Sequence, residues 1–145
     1  MHTMLDIHIE EFFIDCFHIM AQLYGSFPSA RAVYVEDIAG PDAPDEYGVH
    51  SKRFLACFGA MLWLEKENYL RFESTIRQEA IDQATLSEKG LMLLSCPHNP
   101  LHGAPEDLQY KPGIDVLRAL HKSGTSTQLA LAMRALLGQH SQHER

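Results

Sequence analysis

The sequence predicts an α+β fold, mainly α, and two patterns carry that reading. Apolar residues recur at three- and four-residue spacing over 4–24, 51–66, 113–122 and 126–138, as in amphipathic helices. Short β-branched or alternating stretches at 31–38 and 70–73, bounded by turn chemistry, read as strands. At 145 residues and 46% hydrophobic, the chain can bury one core, so one domain with appended helices is expected.

In the first helix Leu5, Ile9, Phe12, Phe13, Cys16, Met20, Leu23 and Tyr24 recur at three- and four-residue spacing, with Asp6, Glu10, Glu11 and Asp15 in its N-terminal half, where the helix dipole favours negative charge. Gly25 and Pro28 end it. Phe17 and Ile19 widen its apolar surface, which points to a second contact such as another subunit. The strand over 31–38 follows, then a loop with Pro41, Pro44 and Gly48. Its acids (Glu36, Asp37, Asp42, Asp45 and Glu46) lack the spacing of a calcium loop and read as a solvated surface.

Ser51 is the expected N-cap of the next helix, whose core side is read as Phe54, Leu55, Phe58, Met61, Leu62 and Glu65. The strand at 70–73 leads to a polar wing tip at 74–80 and a return from Ala80 to Ala84. Thr85-Leu86-Ser87-Glu88 has capping-box spacing, so a helix is expected from there to about Ser95. A proline-punctuated linker at 96–112 precedes two helices, the first ended by Gly124 and the second opened by a capping box from Thr125 to Gln128. Residues 139–145 read as a frayed tail.

No apolar run approaches the roughly 20 residues that span a bilayer, and acids at Asp6, Glu10 and Glu11 do not fit a signal peptide. With the odd set of Cys16, Cys57 and Cys96, a poor disulfide framework, this gives a cytoplasmic expectation without a membrane partner. The net charge of −7 is uneven: residues 1–49 carry nine acids against Arg31 alone, whereas 50–90 balance six against six. Acidity weighs against nucleic acid, because affinity for phosphate comes mainly from Lys and Arg.

The most informative motifs are Leu62-Trp63-Leu64-Glu65-Lys66-Glu67-Asn68-Tyr69-Leu70-Arg71 and Leu86-Ser87-Glu88-Lys89-Gly90. Asn68 suits a helix end because asparagine tolerates the left-handed conformation. The pair resembles the winged-helix superfamily, most closely the MarR-like regulators. There, a helix ending in Leu-Glu-x-x-Gly-hydrophobic-x-Arg precedes a wing and a Leu-Thr-x-x-Gly helix start. The resemblance covers roughly residues 51–95. It implies a winged-helix-like domain over 1–95 with a long N-terminal helix, and leaves the N-terminal helix and the C-terminal helices at 113–138 available for dimerisation. It also implies that the helix before the wing reads a major groove, making Lys52, Arg53, Arg71 and Arg77 the candidate DNA contacts.

The sequence departs from that pattern in two places. Pro41, Pro44 and Gly48 leave little room for the helix that normally supports a reading helix. The face opposite the core stripe offers Lys52, Ala56, Gly59, Ala60, Trp63 and Leu64, whereas base reading uses polar side chains. Such a face packs against protein, which makes Ala56, Ala60 and Trp63 the candidate interaction residues. Trp63 also has a core reading, favoured by its place at the most hydrophobic point of the chain.

Cys96, His98 and His102 are the weak candidates for a metal site, without a clear fourth ligand; a polar linker is the better reading. No phosphate loop, nucleophile elbow or His-Glu-x-x-His helix occurs. The expectation is therefore a non-catalytic regulatory or protein-interaction module without a cofactor, acting as a homodimer with an unknown protein partner. The alternative is a DNA-binding transcription regulator using the helix at 51–66 and the wing at 71–84. Surplus apolar surface on Leu129, Leu131, Met133, Leu136 and Leu137 adds to the dimer expectation.

Overall fold

Among the described residues, six helices and four short strands follow one another as α1 (Ile7–Ser26), β1 (Arg31–Tyr34), α2 (Glu36–Ala39), α3 (Lys52–Lys66), β2 (Leu70–Arg71), β3 (Ser74–Ile76), β4 (Ala80–Leu86), α4 (Glu88–Ser95), α5 (Gly113–Ser123) and α6 (Ser126–His143). The structure, a computed structural model, describes residues 5–97, 107 and 110–143, the last five of these by backbone only. The fold is α+β and mainly helical, with a small antiparallel sheet. Among the described residues, no helix is long and apolar enough to cross a membrane. Close packing divides the chain into two compact units, one of 1–17 with 92–145 and one of 18–91.

In the 18–91 unit, β4 is the central strand. It pairs with β1 on one side and with β2 and β3 on the other. Leu70 lies opposite Leu86, and Ser74 to Ile76 lie opposite Asp82 to Ala80, so 70–76 forms one interrupted arm of a hairpin. The segment expected as a wing tip therefore contributes a strand, and the turn itself is only Arg77, Gln78 and Glu79. Backbone pairing sets this edge despite its polar side chains, because ladder hydrogen bonds do not require apolar residues. Between Arg31/Ala84 and Val33/Ile81 the register shifts by one residue, and Gln83 in the left-handed region marks the bulge. The first strand stops at Tyr34, short of the expected Ile38. Val35 takes helical angles and begins α2, whose first turn holds Glu36 and Asp37 where the dipole favours them.

α3 begins at the expected cap: the Phe54 amide donates to the Ser51 Oγ at 3.2 Å. It ends in a Schellman motif, with the Tyr69 amide donating to the Leu64 carbonyl and the Asn68 amide to that of Glu65. Asn68 carries φ of 66°, the left-handed geometry its chemistry allows. Asn68→Val is expected to destabilise by about 1–2 kcal/mol and Asn68→Gly to be neutral or slightly stabilising. Urea denaturation of the two variants checks this, and equal losses would argue against a conformational origin.

The buried face of α3 is Phe54, Cys57, Phe58, Ala60, Met61 and Leu64, rotated from the expected stripe. Leu55 and Leu62 are only half-buried. The helix is apolar on most sides, so periodicity alone does not fix which side turns inward. Val33, Leu70, Ile81 and Leu86 are among the buried sheet residues of the same unit, with Val35 buried at the start of α2.

The cap of α4 lies two residues later than the expected capping box places it. Thr85 is held in the ladder opposite Arg71, and Ser87 caps instead, its Oγ accepting from the Gly90 amide at 3.1 Å. In the other unit the capping box of α6 forms as expected: the Gln128 amide donates to Thr125 Oγ1 at 3.1 Å, and the Thr125 amide to Gln128 Oε1 at 2.8 Å. Thr127 Oγ1 donates to Glu10 at 2.7 Å, setting an α1 carboxylate beside the start of α6. The ends of the 96–112 stretch are tied by a bridge between Pro97 and Pro112. Leu129, Met133, Leu136 and Leu137 are buried within the chain, so they supply no surplus surface for a dimer; Ile7 and Ile9 on α1 stay exposed. The helix continues through 139–143, where the sequence contains no breaker.

Candidate functional site: the outer face of α3 and its two ends

The exposed residues of α3 recur as Lys52, Ala56, Gly59, Trp63 and Lys66, one stripe at helical spacing. It spans about 21 Å at the usual rise per residue. The centre is small and apolar, with a lysine at each end, and a side chain built at Gly59 would meet nothing within 4 Å. Trp63 is 37% exposed, so its core reading is corrected. It stacks at 6.2 Å on the ring of Tyr69, over which Lys89 Nζ sits at 4.2 Å. Ala60 is corrected in the other sense: at 1% exposure it belongs to the core, as does Leu64. Both lie on the inward side once the stripe rotates, and of the three candidate interaction residues only Ala56 and Trp63 face solvent.

The C-terminal end of α3 is clasped by the start of α4. Lys89 Nζ donates to the Glu67 carbonyl at 2.9 Å, the Ser87 hydroxyl donates to the Asn68 carbonyl, and the Ser87 amide donates to the Tyr69 carbonyl at 3.1 Å. The three carbonyls that follow the helix end thus find donors from one short segment.

The N-terminal end is held by groups that sequence reasoning missed. His50 Nδ1 lies 3.0 Å from Asp42 Oδ2, and its Nε2 lies 2.9 Å from Glu79 Oε2. Its ring stacks on Phe54 at 4.0 Å. The His50 side chain is 8% exposed, and the hydrogen bond to Glu79 is the main reason its pKa is raised above the ordinary histidine value, with burial opposing and Asp42 assisting. Asp42 also accepts the Ser51 amide at 3.0 Å, which is the first cause of its lowered pKa. The loop in between is fixed by Asp45, whose Oδ1 accepts from the Tyr47 and Val49 amides. Asp42 and Asp45 therefore have structural partners and are not simply a solvated acid surface. No local signal in the sequence marks His50, because its partners come from a loop and from a distant turn.

Of the four candidate DNA contacts, Lys52, Arg71 and Arg77 are exposed and Arg53 is half-buried. Arg77 sits in the β3–β4 turn with φ of 52°. The His50–Glu79 contact brings that turn to the start of α3, so Arg77, Lys52 and Arg53 share one end of the unit. Arg71 pairs with Thr85 near the far end of β4, roughly 15–20 Å along the strand at the usual spacing. Glu73, Glu79 and Asp82 stand on the same hairpin, outnumbering its two arginines.

His98 and His102 lie outside the described residues, and Cys96 is half-buried. Among the described residues no group of three or more His, Cys, Asp or Glu is arranged to hold a metal ion.

The class of protein defined so far is a mainly helical α+β chain with a small antiparallel sheet, an exposed apolar helix stripe and a carboxylate-bound histidine. No protein-family model, no curated protein and no solved structure matches it.

Proposed function

We propose that this chain is a non-catalytic, winged-helix-like interaction module whose α3 outer face docks a helix of another protein. The observation that carries the reading is the stripe from Lys52 to Lys66, solvent-exposed, small or apolar at its centre and anchored by Trp63. Tryptophan in such a setting is a common binding hot spot. The lysines at both ends favour an amphipathic partner helix of about 15 residues with carboxylates flanking its apolar stripe. The order β1, β4, β2, with α3 leading into the hairpin, supports the winged-helix-like reading. Homodimerisation is proposed through α1, which keeps Ile7 and Ile9 exposed. A cytoplasmic setting belongs to the same proposal, with Cys16 and Cys57 buried and not joined in a disulfide.

The runner-up, a DNA-binding regulator, rests on Lys52, Arg53 and Arg77 sharing one end of the unit. Fluorescence anisotropy of a labelled random duplex at low and moderate salt separates the two readings. Binding that falls steeply with salt would transfer the function to those basic residues and Arg71. An absence of binding at low salt is the expected result. For the protein partner, Trp63 is the one tryptophan of the chain, so its emission reports this face directly. A purified partner should shift that emission to the blue, and Trp63→Ala should weaken the complex about 30-fold. A partner bound equally well by Trp63→Ala and Gly59→Arg would place docking elsewhere.

A further inference from the structure

We propose that Asp42, His50 and Glu79 form a protonation-dependent latch that fastens the 41–50 loop and the β3–β4 turn to the start of α3, closed while the imidazole carries both ring protons. The geometry requires two donors: a neutral imidazole offers one N–H and one lone pair, yet each ring nitrogen of His50 faces a carboxylate oxygen at 3.0 Å or less. With the second proton present, both contacts are charge-assisted hydrogen bonds. Without it, a lone pair faces a carboxylate and one contact becomes repulsive. The ring cannot turn away without leaving Phe54, on which it stacks.

Asp42 and His50 stand near the two ends of the 41–50 loop and Glu79 in the β3–β4 turn, so the latch closes the loop on itself and joins it to a turn distant in sequence. Asp42 belongs to the loop and also accepts the Ser51 amide at the α3 cap. Glu79 belongs to the turn, and its carbonyl accepts the Val35 amide at 2.9 Å. Opening would release the Arg77 turn and the loop carrying Tyr47 and Val49, both exposed. The other charged groups on the elements packed here are Asp45 and Glu46 in the loop, Glu73, Arg77 and Asp82 on the hairpin, Glu36 and Asp37 on α2, and Lys52 and Arg53 in the first turn of α3.

The sign of the pH effect follows from linkage. A histidine whose folded pKa is raised contributes stability that is fully present below its unfolded value and is lost as pH rises through the folded one. Asp42, lowered in the folded state, contributes stability present above its unfolded value and lost as pH falls through its folded one. The latch is therefore tightest between the unfolded values, 3.8 for the aspartate and 6.5 for the histidine, and opens toward alkaline pH.

Proton NMR of the full chain tests this. The His50 ring should titrate above 6.5, and the Ser51 and Val35 amides should lose protection as it does, by about tenfold for each unit by which the pKa is raised, after correction for intrinsic exchange. Glu79→Gln should bring the His50 titration back toward the ordinary value with the fold retained, and His50→Gln should remove the pH dependence at both amides. Flat protection of Ser51 and Val35 between pH 6 and 8.5 in the wild type would overturn the latch. So would the same pH profile in Glu79→Gln. Neither result depends on which partner α3 binds.

Discussion

Alanine at Gly90 is expected to destabilise the protein by about 3 kcal/mol and lower its thermal midpoint by roughly 6–12 °C. A Cβ at this position would stand 2.0 Å from the Tyr69 carbonyl oxygen, 3.1 Å from its carbonyl carbon and 3.3 Å from a Leu86 methyl. The first two atoms are backbone, so no rotamer change relieves the contact. The Tyr69 carbonyl also cannot retreat cheaply, because it accepts the Ser87 amide within the clasp that joins the end of α3 to α4. Gly59→Ala provides the opposite sign from the same change. That glycine lies inside α3 with open space around it, so alanine should stabilise by up to about 1 kcal/mol through helix propensity. Thermal and urea unfolding of the two variants side by side is the measurement. A Gly90→Ala protein as stable as wild type would mean that α4 does not approach Tyr69 this closely.

The same contact explains how much of this region could be read from sequence. Gly90 is noticeable only as the last residue of Leu86-Ser87-Glu88-Lys89-Gly90, whereas Asn68 is legible as a helix end, because left-handed positions are decided by one or two residues and leave a local mark. Ser51 and the box of Thr125 and Gln128 were legible for the same reason. At α4 the local rule gave the wrong cap. Thr85 and Ser87 are both chemically able to start a helix, and the choice between them was made by pairing of Thr85 across the sheet.

What was illegible is what depends on packing from several directions. α3 is apolar on most sides, so its sequence predicted a helix without fixing its rotation, and Ala60 and Trp63 exchanged places between core and surface. His50 left no mark at all. One partner lies eight residues back in a loop and the other twenty-nine residues on in a turn, and only the fold brings them to one ring. A motif search reads spacing along a chain, whereas a histidine between two carboxylates is defined by distances in space.

Leu136→Ala should destabilise the protein by about 2–5 kcal/mol, since it removes most of a fully buried side chain and leaves a cavity that its neighbours fill only in part. Its two end methyls each stand 3.3 Å from where a Cβ on Gly113 would be, and the Leu93 carbonyl oxygen stands 2.7 Å from the same point. Gly113→Ala alone should therefore cost about 1–3 kcal/mol, because alanine there presses on both a side chain and a backbone atom. The pair should not be additive. Trimming Leu136 clears the two methyl contacts and makes room for the new carbon, so the double variant should lose less than the summed single losses by about 0.5–1 kcal/mol. It should still be less stable than Leu136→Ala, because the Leu93 carbonyl remains in the way. Chemical denaturation of the four proteins gives the coupling directly. Strict additivity would show that Leu136 does not close over the start of α5, and a double variant as stable as Leu136→Ala would show that the carbonyl moves freely. The intermediate result is the one required if Gly113 is there to let α5 begin directly against the end of α4, under the cover of α6.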